Sequence, residues 1–461
     1  MPNIDKIQKY KKIHMVGIGG ISMSGIAEIL LNWGFIVTGS NNVENDVTKK
    51  LKKAGIKVTI GHYAENVQGA DVVIYTAAIS QENIELVTAK NLGIQTIERA
   101  KFLGEITRCY KDTITVSGTH GKSTTTSMVS LCFLEALKDP SIQVGANLPQ
   151  IDGNYKVGNS EFFIIEACEY VESFLQFSPK SEIILNIDND HLDYFKTFDN
   201  IKNAFVKYVK LLPQDGLLVI NGDDKNCLEL ANFTEAKTLS YGITNKNVDF
   251  FAVNIVFDEE GFPEFDVYSH NTFYERIKLN VPGMHNVLNS LGCIALCDNY
   301  GISHKDIKNA LLKFKGIGRR FEYKGKLNGA NIYDDYGHHP TEIVATAKAL
   351  MNKKYKHSWI VFQPHTYSRT KLLMDSFAKA LLNFDNIIVL DIYAARETNT
   401  YDVSSKDLVQ KLHSLGKTSA KYISSFEECV NFLKSNVEEN DIVLVQGAGT
   451  VSKISEMLIN K

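Results

Sequence analysis

Short apolar runs alternate with helical patterns along almost the whole chain. The runs fall at 13–19 (IHMVGIG), 72–78, 113–118, 162–167, 182–188, 358–364, 386–393 and 441–449. Several end in Gly, His or an acid rather than in another apolar residue. This predicts buried parallel strands whose C-terminal ends carry chemistry. The segment 240–281 differs: DFFAVNIVF and EFDVYS alternate in the manner of an antiparallel sheet. A turn at Pro282-Gly283 precedes a helical stretch beginning near His285. A strand starting near Asp112 sets one domain boundary near 107, and the charged, Gly-containing link RRFEYKGKLNG sets a second near 321. The expectation is an α/β protein of three domains, 1–107, 108–321 and 322–461. No heptad, low-complexity tract or repeat of 20–50 residues interrupts it.

Composition narrows the class. The 461 residues are too many for one core. At 44% hydrophobic and 22% charged, with net charge -3, the chain is ordinary for a globular protein and lacks the basic excess of a nucleic-acid binder. The N-terminus MPNIDKIQKY has no apolar core, and no run approaches the ~18 apolar residues of a membrane span. A cytoplasmic location without membrane insertion is expected, and monomer and homodimer both stay open. The seven cysteines are scattered. Cys293 and Cys297 can share a helix face, but two ligands make no metal site, so free thiols are expected.

The strongest local signal is TITVSGTHGKSTTT at 113–126. An apolar strand runs into Gly118, Thr119, His120, Gly121, Lys122, Ser123 and Thr124, and a helical pattern follows. Triphosphate oxygens need converging backbone N–H groups, which glycines expose, and the positive end of a helix. Lys122 suits the outer phosphates and Ser123 suits Mg²⁺. The first glycine of the strict motif is replaced by Val116, so the loop is a variant. Glu166 ends the next apolar strand, where an unpaired carboxylate is costly, and beside a phosphate loop it suits Mg²⁺. His191 follows the acids of NIDNDH and is a candidate ligand for a second metal; a hydrogen-bonded strand-end histidine is the plain alternative.

Near the N-terminus, Gly17, Gly19, Gly20, Ser22, Met23 and Ser24 follow the first strand and open a helix. Such a loop suits a dinucleotide or any other diphosphate. The second strand, 35–40, is followed by Asn41-Asn42 instead of the acid an NAD ribose requires.

Taken together, these motifs resemble the Mur ligases over essentially the whole chain. The resemblance rests on GIGGISMSGIAEILL (17–31), GTHGKSTTT (118–126), EACEYVESF (166–174), NIDNDHLDYF (186–195), PGMHNVLNSLGCIAL (282–296), GIGRRFE (316–322), DDYGHHPTE (334–342) and FQPHTYSRT (362–370). It implies an N-terminal Rossmann-like UDP-binding domain, a central P-loop-type ATPase with a mixed sheet, and a C-terminal Rossmann-like domain closing over ATP and the amino acid. Within the family it points to the branch that adds L-alanine to UDP-N-acetylmuramate, using ATP with Mg²⁺ or Mn²⁺ through an acyl phosphate. By the same resemblance the 17–25 loop and His62 meet the UDP-sugar. Asn286 and Asn289, one helical turn apart, meet adenine, with helix-start capping as the alternative. Arg320 lies near the transferring phosphate. Asp334 and Asp335 meet the ATP ribose or a linker cation, and Tyr336, His338 and Arg369 meet the amino acid. Lys122, Glu166, His191 and Arg320 form the implied catalytic set. This chain departs from some relatives at Thr366 (Arg there) and Asn41 (Asp there). It has Val206 and Lys207 where sister ligases carry a carbamylated lysine, and no carbamate is expected. Three rivals remain: a ligase that transfers a cell-wall tripeptide to the same sugar nucleotide, a nicotinamide-dependent oxidoreductase, and a nucleotide-switched binding protein.

Overall fold

A computed structural model describes residues 2–395 and 397–459. It contains three sheets. The first has β1 (Lys12–Val16), β2 (Ile36–Asn41), β3 (Lys57–Ile60), β4 (Val72–Tyr75) and β5 (Gln95–Glu98) in the order β3-β2-β1-β4-β5, with every pairing parallel. The order reverses beside β1, so the loop after β1 opens at the switch point of a doubly wound sheet. β2 runs one residue further than the hydrophobic pattern suggests, because Asn41 still pairs with Ile60 of β3.

The second sheet carries β6 (Asp112–Ser117), β7 (Ser141–Leu148), β8 (Gly153–Lys156), β9 (Phe162–Glu166), β10 (Ser181–Ile184), β11 (Leu217–Asn221) and β12 (Lys237–Gly242), in the order β12-β11-β10-β6-β9-β7-β8. Only β7–β8 is antiparallel among these pairings. The alternating segment forms β13 (Phe250–Phe257), β14 (Pro263–Ser269) and β15 (Thr272–Lys278), with β14 and β15 antiparallel, as its period requires. The third sheet has β16 (Glu322–Leu327), β17 (Ala330–Asp335), β18 (Ser358–Phe362), β19 (Asn386–Val389), β20 (Lys421–Tyr422) and β21 (Ile442–Gln446), ordered β16-β17-β21-β18-β19-β20. Its two faces are covered by separate apolar clusters, one around Phe362, Phe377 and Leu444 and one around Val361, Val443 and Ile454. Residues alternate between the clusters along the central strands β18, β19 and β21, as a sheet buried on both faces demands.

By its internal contacts the chain divides into two compact units. One is 1–187 with 199–250 and 292–310; the other is 188–198 with 251–291 and 311–461. Among the described residues no helix is long and apolar enough to cross a membrane.

One core position is poorly matched to its surroundings. Both carboxylate oxygens of Glu182, on β10, are buried with no hydrogen-bond partner among the described residues. Burial pushes this carboxyl well above its ordinary value of 4.5. A group whose folded pKa is raised binds its proton more tightly in the folded chain. Stability is therefore full below the unfolded value and falls by about 1.4 kcal/mol per pH unit above it, until the folded pKa is reached. Glu182→Met, unbranched and of similar volume, is expected to raise the melting temperature at pH 8, with the gain shrinking as pH falls toward 4.5. Thermal melts of both proteins across that range check it, and a gain independent of pH would disprove the ionisation argument.

Candidate active site

The phosphate loop leaves β6 and is shaped by two glycines at positive φ, Gly118 (+134°) and Gly121 (+87°). Gly121 caps the helix Lys122–Glu135 in the left-handed conformation, which side chains rarely adopt. Asn186, just past β10, brackets the loop from outside. Its Oδ1 accepts from His120 N (2.8 Å), its Nδ2 donates to His120 O (2.9 Å), and its backbone carbonyl accepts from Thr119 N (3.1 Å). A short Gly loop is thereby held in one shape before any phosphate arrives. Lys122 Nζ donates to the carbonyls of Gly118 (2.6 Å) and Thr119 (3.1 Å) and pairs with Glu169 at 2.8 Å. Burial works against its charge, but the charge and hydrogen bond of Glu169, with the nearby Cys168 and Glu166, together outweigh burial and hold the ammonium above its ordinary range. Lys122 is thus charged and pre-positioned.

Glu166, at the end of β9, accepts from Ser123 Oγ (2.7 Å) and from the backbone N–H of Gly145 (2.9 Å). A hydroxyl and a carboxylate side by side at the start of the loop helix form an all-oxygen donor set of the kind a hard divalent cation takes. Thr124 follows on the same helix.

The N-terminal loop is built similarly. Gly17 has φ +80°, Gly20 caps the helix Ile21–Asn32, and Gly19 N donates to Asn41 Oδ1 (3.2 Å). A Cβ on Gly19 would stand 2.9 Å from the Asn41 side chain, which would have to shift and give up its bond to Gly19 N. Met23 is buried in the core and Ser24 Oγ donates to Ile21 O, so what these two offer outward is backbone. Ser22 Oγ accepts from Arg99 (3.1 Å) and Gln143 (2.8 Å). His62 lies at the end of a buried network. Its Nδ1 is 2.8 Å from Glu85 Oε2, and Ser40 Oγ donates to the same oxygen at 2.6 Å. Burial would raise the Glu85 carboxyl, but hydrogen bonds from His14, Ser40, Asn66 and His62 hold it down to about 2. His62 Nε2 is buried with no hydrogen-bond partner among the described residues. Under the role the resemblance implies for His62, Glu85→Ala is expected to release the ring and raise the KM for the sugar nucleotide by about tenfold, the effect of losing one well-placed hydrogen bond to a charged group. Steady-state kinetics check this; an unchanged KM with a lowered melting temperature would leave Glu85 a purely structural role.

In the second unit, His191 has φ +55° and caps the short helix Leu192–Phe195, its N–H donating to Asp190 Oδ1 (2.7 Å). Arg369 grips the same oxygen through Nε (3.1 Å) and Nη2 (2.8 Å), while Nη1 lies 3.0 Å from His365 Nδ1. Burial raises the Asp190 carboxyl, and the Arg369 guanidinium overcomes this and holds it far below the ordinary range. Asn189, Asp190, His191, Asp193, Ser368 and Arg369 line one small, partly open pocket there. Thr366, at φ +65°, accepts from Arg369 N at 3.4 Å and so caps the helix Tyr367–Leu372 that carries Arg369.

Tyr336 lies beneath two guanidinium groups, Arg319 at 5.0 Å and Arg320 at 5.4 Å from its ring. Arg319 also donates to the Gly447 carbonyl (2.6 Å), and Arg320 pairs with Glu342 (3.1 Å). The carboxylate of Asp335 accepts from the N–H groups of Phe321 (2.8 Å) and Gly337 (2.7 Å), and shapes the turn after β17. Asp334 is 3.5 Å from Arg319, and burial pushes its carboxyl up to about 6. His339 caps the helix Pro340–Leu350 reciprocally with Glu342, whose carboxylate also accepts from His338 N (2.8 Å). Burial pushes the His338 imidazole down to about 3, so it is neutral at working pH. Asn286 Nδ2 donates to Pro282 O (2.8 Å), and Asn289 Nδ2 to Asn286 Oδ1 (3.3 Å), both side chains buried in the first turns of the helix Met284–Asn299. Lys207 pairs with Glu172 at 2.8 Å on the surface.

The structure thus joins Lys122, Ser123 and Glu166 within the first unit, and His191 with Arg369, and Arg320 with Tyr336, within the second. Sequence reasoning missed Glu85, Glu169, Asn186, Asp190 and Arg319 as partners. Asp190, Glu169 and Asn186 stand inside motifs already singled out, so proximity to those motifs was the available signal; Glu85 had none.

Three family models cover the chain in order: Mur ligase family, catalytic domain (residues 12–111), Mur ligase middle domain (116–297) and Mur ligase, glutamate ligase domain (319–449). The chain is 48% identical over 451 residues to the UDP-N-acetylmuramate–L-alanine ligase of Acetivibrio thermocellus, covering 98% of this chain and 96% of that protein. It is 49% identical over 456 residues to the enzyme of the same name from Clostridium botulinum strain Langeland, covering 98% of each. Among solved structures, the UDP-N-acetylmuramate–alanine ligase of Thermotoga maritima matches with TM-score 0.82 at 30% identity, over 97% of this chain and 98% of that one. A murein peptide ligase from Psychrobacter arcticus shares the fold, with TM-score 0.72 at 23% identity over 97% of this chain and 98% of that one.

Proposed function

The chain belongs to the Mur ligase family, and from that premise we propose that it joins L-alanine to the lactyl carboxylate of UDP-N-acetylmuramate at the expense of ATP, in peptidoglycan synthesis. The observation that carries this reading is the near-half identity to ligases of that name over almost their full length. A cytoplasmic location goes with it, as does a division into a UDP-sugar domain (1–107), an ATPase domain (108–321) and a closing domain (322–461).

A carboxylate is a poor electrophile until one of its oxygens can leave. In the proposed sequence the γ-phosphoryl group of ATP passes to the lactyl carboxylate, giving an acyl phosphate and ADP. The alanine amine then attacks the acyl carbon and phosphate departs. Both phosphoryl partners are anions, so the protein must neutralise charge and hold them in line. Lys122 and the loop Gly118–Thr124 hold the phosphates, chiefly through the N–H groups of Gly121–Thr124 at the start of the helix, since those of Thr119 and His120 already donate to Asn186. Ser123 and Glu166 fit Mg²⁺ by their adjacent oxygens, 2.7 Å apart, and His191 is the candidate ligand for a second metal. When bound, Mg²⁺ supplies positive charge to the phosphate oxygens. Arg320 is assigned to the transferring phosphate, and Asn286 and Asn289 to adenine, with Asp335 shaping the turn on the ribose side. Gly17, Gly19, Gly20, the backbone of 22–24 and His62 Nε2 are assigned to the sugar nucleotide. Arg369, with Tyr336 and the neutral His338, is assigned to the alanine carboxylate and amine, where a planar guanidinium suits a carboxylate.

Phosphate release from the purified protein with ATP, Mg²⁺ and UDP-N-acetylmuramate tests the reading, with L-alanine, glycine, L-serine or the cell-wall tripeptide as acceptor. Release is expected to be fastest with L-alanine. The smaller and hydroxylated amino acids should be slower by no more than about 10- to 200-fold, because one small group in a pocket discriminates by only about 1–3 kcal/mol. Release with the tripeptide alone would replace this reading by that of a peptide-transferring ligase.

A further inference from the structure

Three cysteines meet in the core of the first unit. Cys132 lies on the helix Lys122–Glu135 that follows the phosphate loop, and Cys293 and Cys297 lie one turn apart on the helix Met284–Asn299. The helix-face pair legible in the sequence thus gains a third sulfur from a distant segment. All three side chains are fully buried and all are free thiols. Cys132 Sγ is 3.7 Å from Cys293 Sγ, which is 3.9 Å from Cys297 Sγ, and all three sulfurs lie within 4.8 Å of one another. The centre of such a triangle is about 2.2–2.5 Å from each sulfur, the length of a bond from thiolate sulfur to a small soft ion (about 2.3 Å for Zn²⁺). Hydrogen bonds from Cys293 and Cys297 draw the Cys132 thiol down, while burial pushes Cys293 and Cys297 up.

Charge and ligand number select the occupant. Three thiolates carry three negative charges, and uncompensated charge in a dry core is costly. Zn²⁺ would leave one charge and wants a fourth ligand, whereas this cluster offers three among the described residues. Cu⁺ would leave two charges. A trivalent, three-coordinate thiophilic centre leaves none and needs no further ligand.

We propose that Cys132, Cys293 and Cys297 form a capture site for trivalent arsenic. Arsenous acid, As(OH)₃, is neutral and small. Each thiol replaces one hydroxide: an S–As bond forms, an As–O bond breaks, and the thiol proton leaves with the hydroxide as water. Three thiols and As(OH)₃ give As(S-Cys)₃ and three waters, with no change of oxidation state. Reactants and product are uncharged, so the core never holds a net charge. The product ties the helix of the phosphate loop to the helix whose first turns carry Asn286 and Asn289.

The test uses the full-length protein and sodium arsenite, added to the native protein or during refolding from urea, followed by removal of free arsenite. Native mass spectrometry is expected to show one arsenic per chain, and X-ray absorption at the arsenic edge three sulfur neighbours and no oxygen. Cys293→Ala is expected to lose more than nine-tenths of the retained arsenic, and Cys168→Ser, altering the exposed thiol outside the cluster, to lose none. The X-ray absorption measurement needs no variant, so a misfolded Cys293→Ala leaves the proposal testable. No retained arsenic by either route, two sulfurs with an oxygen, or arsenic that follows Cys168 would each overturn it. None of these readouts depends on ligase turnover.

Discussion

Lys122→Ala is expected to lower kcat by about 10³-fold or more at saturating ATP, and to lower the melting temperature as well, because the buried Glu169 carboxylate loses its partner. The magnitude follows from the role proposed for the ammonium. Removing one preorganised donor aimed at developing charge typically costs about 10²–10³ in kcat, and a full positive charge is worth more than a neutral donor. Two carbonyls and Glu169 fix Nζ within 3.1 Å, so its position is set before ATP binds. Lys122→Arg is not expected to rescue, because a planar fork cannot replace a compact ammonium between the Gly118 and Thr119 carbonyls. Single-turnover measurement of ADP formation checks the effect. Activity of Lys122→Ala within a few-fold of the parent would remove the loop from the chemistry.

Arg369→Ala is expected to raise the KM for L-alanine by about 10²-fold while leaving the KM for ATP within about twofold. Truncating one partner of a buried, hydrogen-bonded charge pair typically costs about 2–5 kcal/mol. The guanidinium is only 10% exposed, and Asp190 already satisfies two of its N–H groups. Asp190 and His365 therefore fix the fork, leaving the second N–H of Nη2 for a substrate carboxylate. Arg369→Lys should recover little, since an ammonium cannot meet Asp190 and a substrate carboxylate in one plane. A lowered melting temperature with an unchanged KM for L-alanine would make Arg369 a tether for Asp190 alone. The separate effect on the two substrates is what distinguishes binding from folding here.

Much of this site was readable because its signals are local. Strand, glycine loop and helix follow one another within 113–126, and the structure has β6 end at Ser117, Gly118 and Gly121 at positive φ, and the helix begin at Lys122. The parallel strands announced themselves as apolar runs ending in polar residues, because a strand buried on both faces has no polar side until it reaches the sheet edge. What escaped is non-local. Asn186 brackets a loop some 66 residues earlier, and Glu85 reaches His62 and His14 from a separate helix. A single sequence carries no sign of such pairings. Thr366 illustrates a different gap. Where some relatives carry arginine, this chain has the cap of the helix that presents Arg369, and its positive φ is invisible in its residue type. Arg319 and Arg320 are adjacent and chemically alike, yet one donates to the Gly447 carbonyl and the other pairs with Glu342; only the fold separates them.

The central claim is that the lactyl carboxylate is activated by phosphoryl transfer before the amine attacks. UDP-N-acetylmuramate labelled with oxygen-18 in that carboxylate tests it most directly, with ATP, Mg²⁺ and L-alanine present and the released phosphate analysed by mass spectrometry. The account predicts one labelled oxygen in each phosphate released, in step with formation of the alanyl product. Phosphate released without label while product forms would contradict it.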